Sequence, residues 1–359
     1  MGRSTWEALS GNPVTTTVFD NVDEVAHVRI AQHAKLVVIA PGTADLLARM
    51  AAGRADDLLT STLLMATCPV IAVPAMHTEM WRHPATVANV ETLRRRGIRV
   101  IDPADGRLTG ADSGPGRLPE PSAIAEICEA VLARDAAAQD LDGVRITISA
   151  GGTREPIDPV RYLGNRSSGR QGWALAAAAV ARGAIVTVVA ANVDSADPAG
   201  ANITRVKTSE DLHKAMVEGS RDADVVIMAA AVADFRARDI AATKIKKSNS
   251  GEGITLDLER TTDVLAELGA ARSDRRPILV GFAAETEPDE GALIDLAQGK
   301  LRAKGADLIV ANEVGIDRGF EESDNQAVIV SADGVVSRIG RTSKFGVANG
   351  VLDAVSHLL

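Results

Sequence analysis

A long loop rich in glycine and polar residues joins a strand-like run to a helix-like run near the middle of the chain. The strand covers 144–149, the loop AGGTREPIDPVRYLGNRSSGRQG covers 150–172, and an alanine-rich helix is predicted at 173–182. A strand, a glycine turn and a helix start in this order present backbone N–H groups to a phosphate. The loop ends in polar residues that can also hydrogen-bond a ligand: Asn165, Arg166, Ser167 and Ser168. The Gly-Gly pair by itself is equally compatible with a simple tight turn.

Short Val/Ile-rich runs alternate with helix-like segments along the whole chain. This alternation is typical of parallel sheets covered by helices on both faces. It predicts an α/β protein with two Rossmann-like parallel-sheet domains, at 1–138 and 139–359. In the first, strands are predicted at 35–40 (buried), 70–73 and 98–101, helices at 44–52, 87–96 and 123–138, and a loop at 102–122. In the second, strands are predicted near 146 and at 185–190, 224–228, 278–282 and 308–311, with a closing hairpin of 328–330 and 335–339.

Composition excludes several functional classes. The net charge of −9 argues against a general nucleic-acid binder, since phosphate backbones require clustered Lys and Arg. No apolar run reaches the roughly 18 residues of a membrane-spanning helix. Cys68 and Cys128 are far apart and lack CxxC or zinc-site spacing, which favours a reduced, cytoplasmic protein.

The loop at 150–172 resembles the ligase half of the bifunctional phosphopantothenoylcysteine decarboxylase/phosphopantothenate–cysteine ligases of coenzyme A biosynthesis. The resemblance continues through nearly the whole chain, including DVVIMAAAVADFRARDIAATKIKK at 224–247. A Lys-x-Lys-Lys run is more often a solvated patch, but its place after a strand-end loop favours a triphosphate. The family uses CTP, and the residues that match its nucleotide site are Met228, Ala229, Ala230, Asp234, Lys244, Thr262, Asp263, Phe282, Lys300 and Lys304.

The resemblance also implies a mechanism for the second domain. The carboxylate of 4′-phosphopantothenate attacks the α-phosphate of CTP, and the amine of cysteine then displaces CMP from the acyl-cytidylate. Lys244 would stabilise charge at the α-phosphate, the Asn165 amide would hold the acyl carbonyl, and Mg²⁺ would bridge phosphate oxygens. The family implies that this half is dimeric within a homo-oligomer. The residues implied in binding substrate or intermediate are Gly151, Gly152, Arg166, Ser167 and Ser168.

The first domain is similar to the flavin-dependent cysteine decarboxylases, over HVRIAQHAKLVVIAPGTADLLARMAAGRADDLLT at 27–60. This resemblance implies a flavodoxin-like unit in which His27 acts on the substrate, although a lone histidine is more often structural. PAMHTEMW at 74–81 matches the family's substrate-recognition string, in which most members carry Asn in place of His77. A flap is implied at 110–121, with Gly110 near the position of a cysteine in many members. The residues implied in binding FMN or substrate are Pro41, Thr43, Ala44, Asp45, Met76 and His77.

The front of the sequence departs from this family. Its members begin with a strand and a turn of the form GGIAAYK that holds the flavin phosphate, and nothing similar precedes Trp6. From this we expect FMN binding and decarboxylation to be lost in the chain as written. The first module would then be decayed, or its start codon misplaced.

Two other classes of function stay open from the sequence. A nicotinamide-dependent oxidoreductase is disfavoured, because the loop lacks GxGxxG spacing and no acidic residue closes the strand at 185–190. The other class is a regulatory subunit without catalysis. Within the ligase interpretation, a ligase that carries a non-catalytic flavoprotein remnant is a further alternative. The Asn165 and Lys244 pair weighs against a protein without any catalytic role.

Overall fold

The computed structural model describes residues 2–16, 25–108, 112–133, 139–246, 255–273, 275–285, 287, 289–313 and 324–359. The chain divides into two compact units, Met1–Pro119 and Glu120–Leu359, called unit 1 and unit 2 below. Gly110 of the predicted flap and Lys247 of the lysine run lie outside the described residues.

Unit 1 contains a parallel sheet and a separate hairpin. Its elements are α1 (Arg3–Ser10), α2 (Ala26–His33), β1 (Val37–Gly42), α3 (Ala44–Ala51), α4 (Leu58–Met65), β2 (Val70–Pro74), α5 (Thr78–Trp81), α6 (Pro84–Arg95), β3 (Arg99–Val100), β4 (Ala104–Arg107) and β5 (Ser113–Arg117). The three-stranded sheet has the order β1-β2-β3, with both pairs parallel. Leu47, Ala72 and Leu93 are fully buried and belong to one hydrophobic cluster of this unit. The predicted parallel α/β arrangement is confirmed here.

Two predictions for unit 1 were wrong. The segment 102–122, predicted as a loop, contains the antiparallel pair β4 and β5. Its glycines and proline hid the strands, because such residues are depleted in strands and have no alternating apolar pattern. The first strand was predicted as buried, yet Val38 in β1 is 41% exposed. In the described sheet β1 is an edge strand that pairs only with β2, and three of its six residues are exposed.

Unit 2 is built on one large sheet with helices on both faces. Its helices are α7 (Pro121–Leu132), α8 (Arg170–Ala181), α9 (Ser209–Ser220), α10 (Val264–Ala271), α11 (Glu290–Lys304) and α12 (Lys344–Ser356). Its strands are β6 (Arg145–Gly151), β7 (Glu155–Pro156), β8 (Tyr162–Leu163), β9 (Ile185–Ala191), β10 (Ala201–Val206), β11 (Val225–Met228), β12 (Phe235–Ala237), β13 (Leu258–Arg260), β14 (Ile278–Glu285), β15 (Leu308–Glu313), β16 (Asp324–Ser331) and β17 (Gly334–Ser343).

The large sheet has eight strands in the order β10-β9-β6-β11-β14-β15-β16-β17. Strands from β10 to β15 are parallel, whereas β16 and β17 are antiparallel. The Val- and Ile-rich strands β6, β11 and β14 lie in the centre and are almost wholly buried. The predicted closing hairpin is confirmed, with Gly334 at φ 118° in its turn. The edge strand β10 was not predicted.

A buried arginine ties three parts of unit 2 together. Arg182 follows α8, is 2% exposed, and donates to both carboxylate oxygens of Asp140 at 2.9 and 2.6 Å. It also pairs with Asp353 of α12 at 2.8 Å. The helix α7 packs beside them, because the Asn349 side chain of α12 donates to the carbonyl of Ala130. Thus α7, which was placed in the first predicted domain, belongs to the compact unit 2, while the boundary near residue 138 stays a prediction.

The N-terminus of α9 carries a reciprocal cap. The Thr208 hydroxyl accepts a hydrogen bond from the Asp211 N–H at 3.2 Å, and the Asp211 carboxylate accepts one from the Thr208 N–H at 3.1 Å. We expect Thr208→Ala to lower the free energy of unfolding by about 1 kcal/mol, as measured by urea titration. Ser220→Ala at the other end of the helix is the control and should have a smaller effect. Equal losses in both variants would contradict a capping role.

Candidate functional site

A cavity of about 950 Å³ opens at the carboxyl ends of the central strands of unit 2. Parallel sheets bind ligands at this edge because the loops after several strands meet there. Most of the residues predicted for the ligase reaction line it: Asn165, Arg166, Ser167, Ser168, Met228, Ala229, Ala230, Asp234, Thr262, Asp263, Phe282, Lys300 and Lys304. The sequence segments that carry them are far apart along the chain, so the fold itself brings them together.

The predicted glycine pair serves the packing of strand ends. Gly151 has φ 86°, and a Cβ there would lie 2.0 Å from the Ala191 carbonyl oxygen. A Cβ on Gly152 would lie 2.9 Å from the Asn165 carbonyl oxygen, and the Gly152 N–H already donates to Ala191. Neither glycine is among the residues that line the cavity. Both are needed where the ends of β6 and β9 meet the Asn165 loop, and their role in substrate binding stays a prediction.

The start of α8 forms one wall of the cavity. Gly169 precedes the helix with φ 76°, and no side chain caps the helix. Arg170, Gln171 and Gly172 of the first turn line the cavity. N–H groups in a first helical turn have no intrahelical partner and favour an anion. The Asn165 side chain, also in this wall, donates to the Val232 carbonyl at 2.9 Å, which fixes the orientation of its amide.

The ends of β11 and β14 also contribute to the cavity wall. Met228 pairs with Gly281, which places the following residue Phe282 beside the small residues Ala229 and Ala230. The Ser149 hydroxyl accepts a hydrogen bond from the Ala230 N–H at 3.1 Å and so holds this loop against β6. Small side chains next to an aromatic ring leave a slot that a planar base can enter.

The two predicted lysines of α11 lie one helical turn apart, and each is paired with a carboxylate. Lys300 Nζ lies 2.5 Å from Glu285 Oε1, and Lys304 Nζ lies 2.5 Å from Asp263 Oδ2. Asp263 also accepts the Ala266 N–H at 3.1 Å and caps α10. Each cation of the cavity wall therefore has a carboxylate beside it. Phosphate oxygens that reach the lysines must compete with the two carboxylates.

Lys244 lies outside the cavity wall. It is exposed on the segment 241–246, which follows β12 without regular structure. This segment is attached to the loop at 157–161, because the Ala241 N–H donates to the Ile157 carbonyl and the Ile245 N–H donates to Asp158. Lys244 is thus not among the described residues that line the cavity, and its catalytic role stays a prediction.

Sequence reasoning included Arg260 in the loop at 260–263 but missed two other polar residues of the cavity wall, Asn312 and Lys344. Lys344 starts α12 and is only 9% exposed. The Gln171 side chain of α8 donates to its carbonyl at 3.2 Å, so the first turns of two helices meet at the cavity. The sequence did offer a signal for Lys344, namely a lysine directly after the capping residue Ser343 at the start of an apolar helix. A helix start of this kind is a site for polar contacts.

In unit 1, two predicted loops lie at the same edge of the sheet. Gly42 at the end of β1 pairs with Pro74 at the end of β2. Of the predicted flavin residues, Pro41 lies in the last part of β1, while Thr43, Ala44 and Asp45 follow its end. The predicted substrate residues Met76 and His77 follow the end of β2.

The hairpin β4–β5 contacts the loop of unit 1 that was predicted to recognise the substrate. The Met76 N–H donates to the Gly116 carbonyl at 3.0 Å, and His77 Nδ1 lies 3.3 Å from Asp112 Oδ2. His27 lies in α2, where its Nδ1 is buried and has no hydrogen-bond partner in the described part of the chain. The Thr78 hydroxyl oxygen beside the recognition loop is buried in the same way. Such atoms are compatible with a ligand that supplies the missing hydrogen bonds.

Comparison with known proteins assigns a family to both units. Residues 3–133 match the family described as Flavoprotein, and residues 141–359 match the DNA/pantothenate metabolism flavoprotein C-terminal domain. The coenzyme A biosynthesis bifunctional protein CoaBC of Mycolicibacterium smegmatis is 53% identical over 365 residues, which cover 100% of this chain and 88% of the relative. The chain belongs to the CoaBC family. It is an enzyme of coenzyme A biosynthesis with ligase and decarboxylase roles. The family resemblance predicted both roles, whereas the N-terminal sequence led us to expect that the decarboxylase activity is lost.

More distant relatives agree with this assignment. The CoaBC protein of Vibrio parahaemolyticus is 39% identical and matches 99% of this chain and 87% of its own length. A crystal structure of the C-terminal domain of a CoaBC protein is 34% identical, with a TM-score of 0.52, over 62% of this chain and 98% of that structure. No helix among the described residues combines the length and the apolar character that a bilayer span requires.

Proposed function

We propose that unit 2 ligates cysteine to 4′-phosphopantothenate at the expense of CTP, in the cavity beyond β6, β11 and β14. An oxygen of the substrate carboxylate forms a bond to the α-phosphorus of CTP, and the bond to the pyrophosphate leaving group breaks. The cysteine nitrogen then attacks the acyl carbon, loses a proton, and releases CMP. The observation that carries this proposal is the convergence of Asn165, Phe282, Lys300 and Lys304 on one cavity in a CoaBC-family chain.

The cavity supplies different chemistry at each wall. The slot between Phe282 and the small residues Ala229 and Ala230 suits the base, while Lys300 and Lys304 suit the phosphates. The first turn of α8 is proposed to bind the phosphate of 4′-phosphopantothenate, because helix starts favour anions. Positioning and charge neutralisation dominate such reactions at phosphorus.

Mg²⁺ is proposed to bind mainly through the phosphate oxygens of CTP. Within the described ranges no group of at least three His, Cys, Asp and Glu residues is placed to hold a metal ion. Mg²⁺ commonly keeps several water ligands and uses substrate phosphates together with one or two carboxylates. Asp234 and Asp263 line the cavity and are the carboxylates that could complete its coordination.

A thermal-shift comparison tests the nucleotide assignment. We expect CTP with Mg²⁺ to raise the melting temperature of the whole chain more than ATP with Mg²⁺ or NAD, because a ligand at about 100 times its Kd stabilises the native state by about 2.7 kcal/mol. Pyrophosphate release should require both CTP and 4′-phosphopantothenate. Stabilisation by NAD alone would favour the nicotinamide-dependent oxidoreductase instead.

Unit 1 is proposed to bind FMN and to decarboxylate 4′-phosphopantothenoylcysteine. The match of residues 3–133 and the strand-end loops of β1 and β2 support FMN as its ligand. FMN supplies the oxidation that precedes loss of CO₂. His27 is proposed to act on the substrate, Met76 to contact it, and His77 to donate a hydrogen bond to its carboxylate.

Reconstitution with FMN decides between this role and the loss expected from the N-terminal sequence. Stoichiometric flavin absorbance after gel filtration would support the decarboxylase. A colourless protein would support a ligase with a non-catalytic flavoprotein remnant.

The free cysteines Cys68 and Cys128 are consistent with the proposed cytoplasmic location. The proposed dimeric ligase half is testable by light scattering.

A further inference from the structure

Asp158 is a buried carboxylate in the loop that leads to Asn165. Its side chain is 0% exposed. Oδ1 accepts hydrogen bonds from the N–H groups of Val160 and Arg161, both at 2.8 Å, and thereby closes the turn at 158–161. Burial alone would raise the pKa of this carboxyl, but the backbone donors and the Arg161 guanidinium together hold its pKa below the usual value. Asp158 is therefore ionised at neutral pH, although it is buried.

The second oxygen of Asp158 holds a different segment. Oδ2 accepts the N–H of Ile245 at 3.2 Å and pairs with Arg161 Nε at 3.1 Å. Arg161 in turn donates to the Ile245 carbonyl, so both polar groups of one peptide residue are bound by this ion pair. Ile245 directly follows Lys244. The loop at 157–161 therefore binds the backbone of Ile245, the residue next to Lys244.

We propose that Asp158 is a positioning residue for ligation, which places Lys244 at the reacting α-phosphate through its contact with Ile245. The proposal rests on the function proposed above for unit 2, since Lys244 must act on CTP. An exposed lysine on a segment without helix or strand has many accessible positions. A buried, ionised carboxylate that binds the next residue reduces the number of positions open to the lysine before the substrate arrives. This matters because a small misplacement of a catalytic group can lower the rate by about 10².

Asp158→Asn separates the two functions of this carboxylate. The amide oxygen can still accept the Val160 and Arg161 N–H groups, so the turn is kept. The amide nitrogen then faces two donors, the Ile245 N–H and the Arg161 guanidinium. It cannot accept a hydrogen bond from either of them. We expect kcat for CTP-dependent pyrophosphate release to fall by about 10², while the KM for CTP stays near the wild-type value.

A double variant shows whether the effect passes through Lys244. If Asp158 acts by placing Lys244, Asp158→Asn should cause no further loss in a Lys244→Ala background. Glu155→Gln is the matched control, since Glu155 is a buried carboxylate of the same connection that accepts the Ser209 N–H at 2.8 Å. Glu155→Gln should lower the rate only slightly. In the double variant with Lys244→Ala, the two rate reductions should multiply.

A second variant guards against misfolding of Asp158→Asn. Arg161→Met keeps both backbone N–H groups that bind Asp158 and removes only the guanidinium, so it should lower kcat in the same direction. Hydrogen exchange at Ile245 should become faster in both variants. The proposal is overturned if Asp158→Asn keeps a normal kcat, or if its loss multiplies in full with that of Lys244→Ala. Normal turnover by Lys244→Ala alone would instead refute the role of Lys244 in the proposed function.

Discussion

Replacing Lys244 by alanine should lower the rate of acyl-cytidylate formation by about 10²–10³, the usual cost of removing one group that stabilises transition-state charge. The first step of the proposed reaction builds negative charge on the phosphate oxygens as pyrophosphate leaves. Lys300 and Lys304 already share their charge with Glu285 and Asp263. The family resemblance assigns Lys244, which lies outside the described cavity wall, to the α-phosphate. Pyrophosphate release from CTP and 4′-phosphopantothenate measures the effect.

Lys246→Ala is the matched control for Lys244→Ala. Lys246 is an exposed lysine on the same segment, two positions further along the chain. If position matters, this variant should keep most of its activity, and both variants should unfold at the wild-type temperature. A similar loss in the two variants would indicate diffuse attraction of the triphosphate by the lysine run. A near-wild-type rate for Lys244→Ala would refute its assignment to the reacting phosphate.

The central sheet of unit 2 could be predicted because its strands carry their own signal. β6, β11 and β14 are buried on both faces, so they are near-continuous runs of Val, Ile and other apolar residues. β10 lacks this signal, since it lies at an edge and only alternate positions are partly covered. The strand β5 consists largely of Gly and Pro, and β4 has no apolar residue except Ala104, so neither periodicity nor propensity indicates a strand there.

The cavity was predictable where residues follow a strand and not where contacts are long-range. Phe282 lies within β14 and Ala229 directly follows β11, so parallel topology alone places them at one edge. Position 151 requires glycine because a Cβ there would collide with the carbonyl oxygen of Ala191. Ala191 lies forty positions further along the chain, so no local sequence pattern reveals this contact. The anchor between Asp158 and Ile245 is equally non-local, since it joins a turn to a segment beyond three intervening strands of the sheet.

Asn165→Asp should bind CTP and yet slow product formation by about 10²–10³, as expected for the loss of a preorganised donor to a reacting oxygen. One N–H of the Asn165 amide is bound to the Val232 carbonyl at 2.9 Å, which orients the side chain in the cavity wall. A carboxylate has no N–H, so it would be repelled by the Val232 carbonyl and by the phosphates of the substrate. Single-turnover measurement of CMP and pyrophosphate release separates binding from the two chemical steps.

Asn192→Asp distinguishes this catalytic effect from loss of loop structure. The Asn192 amide donates to the carbonyls of Gly152 and Lys207, both at 2.9 Å, but Asn192 is not among the residues that line the cavity. It should therefore lower the melting temperature while its kcat changes much less than that of Asn165→Asp. If Asn165→Asp turns over normally, or if the two variants lose activity only in proportion to their stability, Asn165 lies outside the reacting centre. A slow Asn165→Asp that still melts like the wild-type protein and still gains stability from CTP would place its defect in the chemical steps themselves.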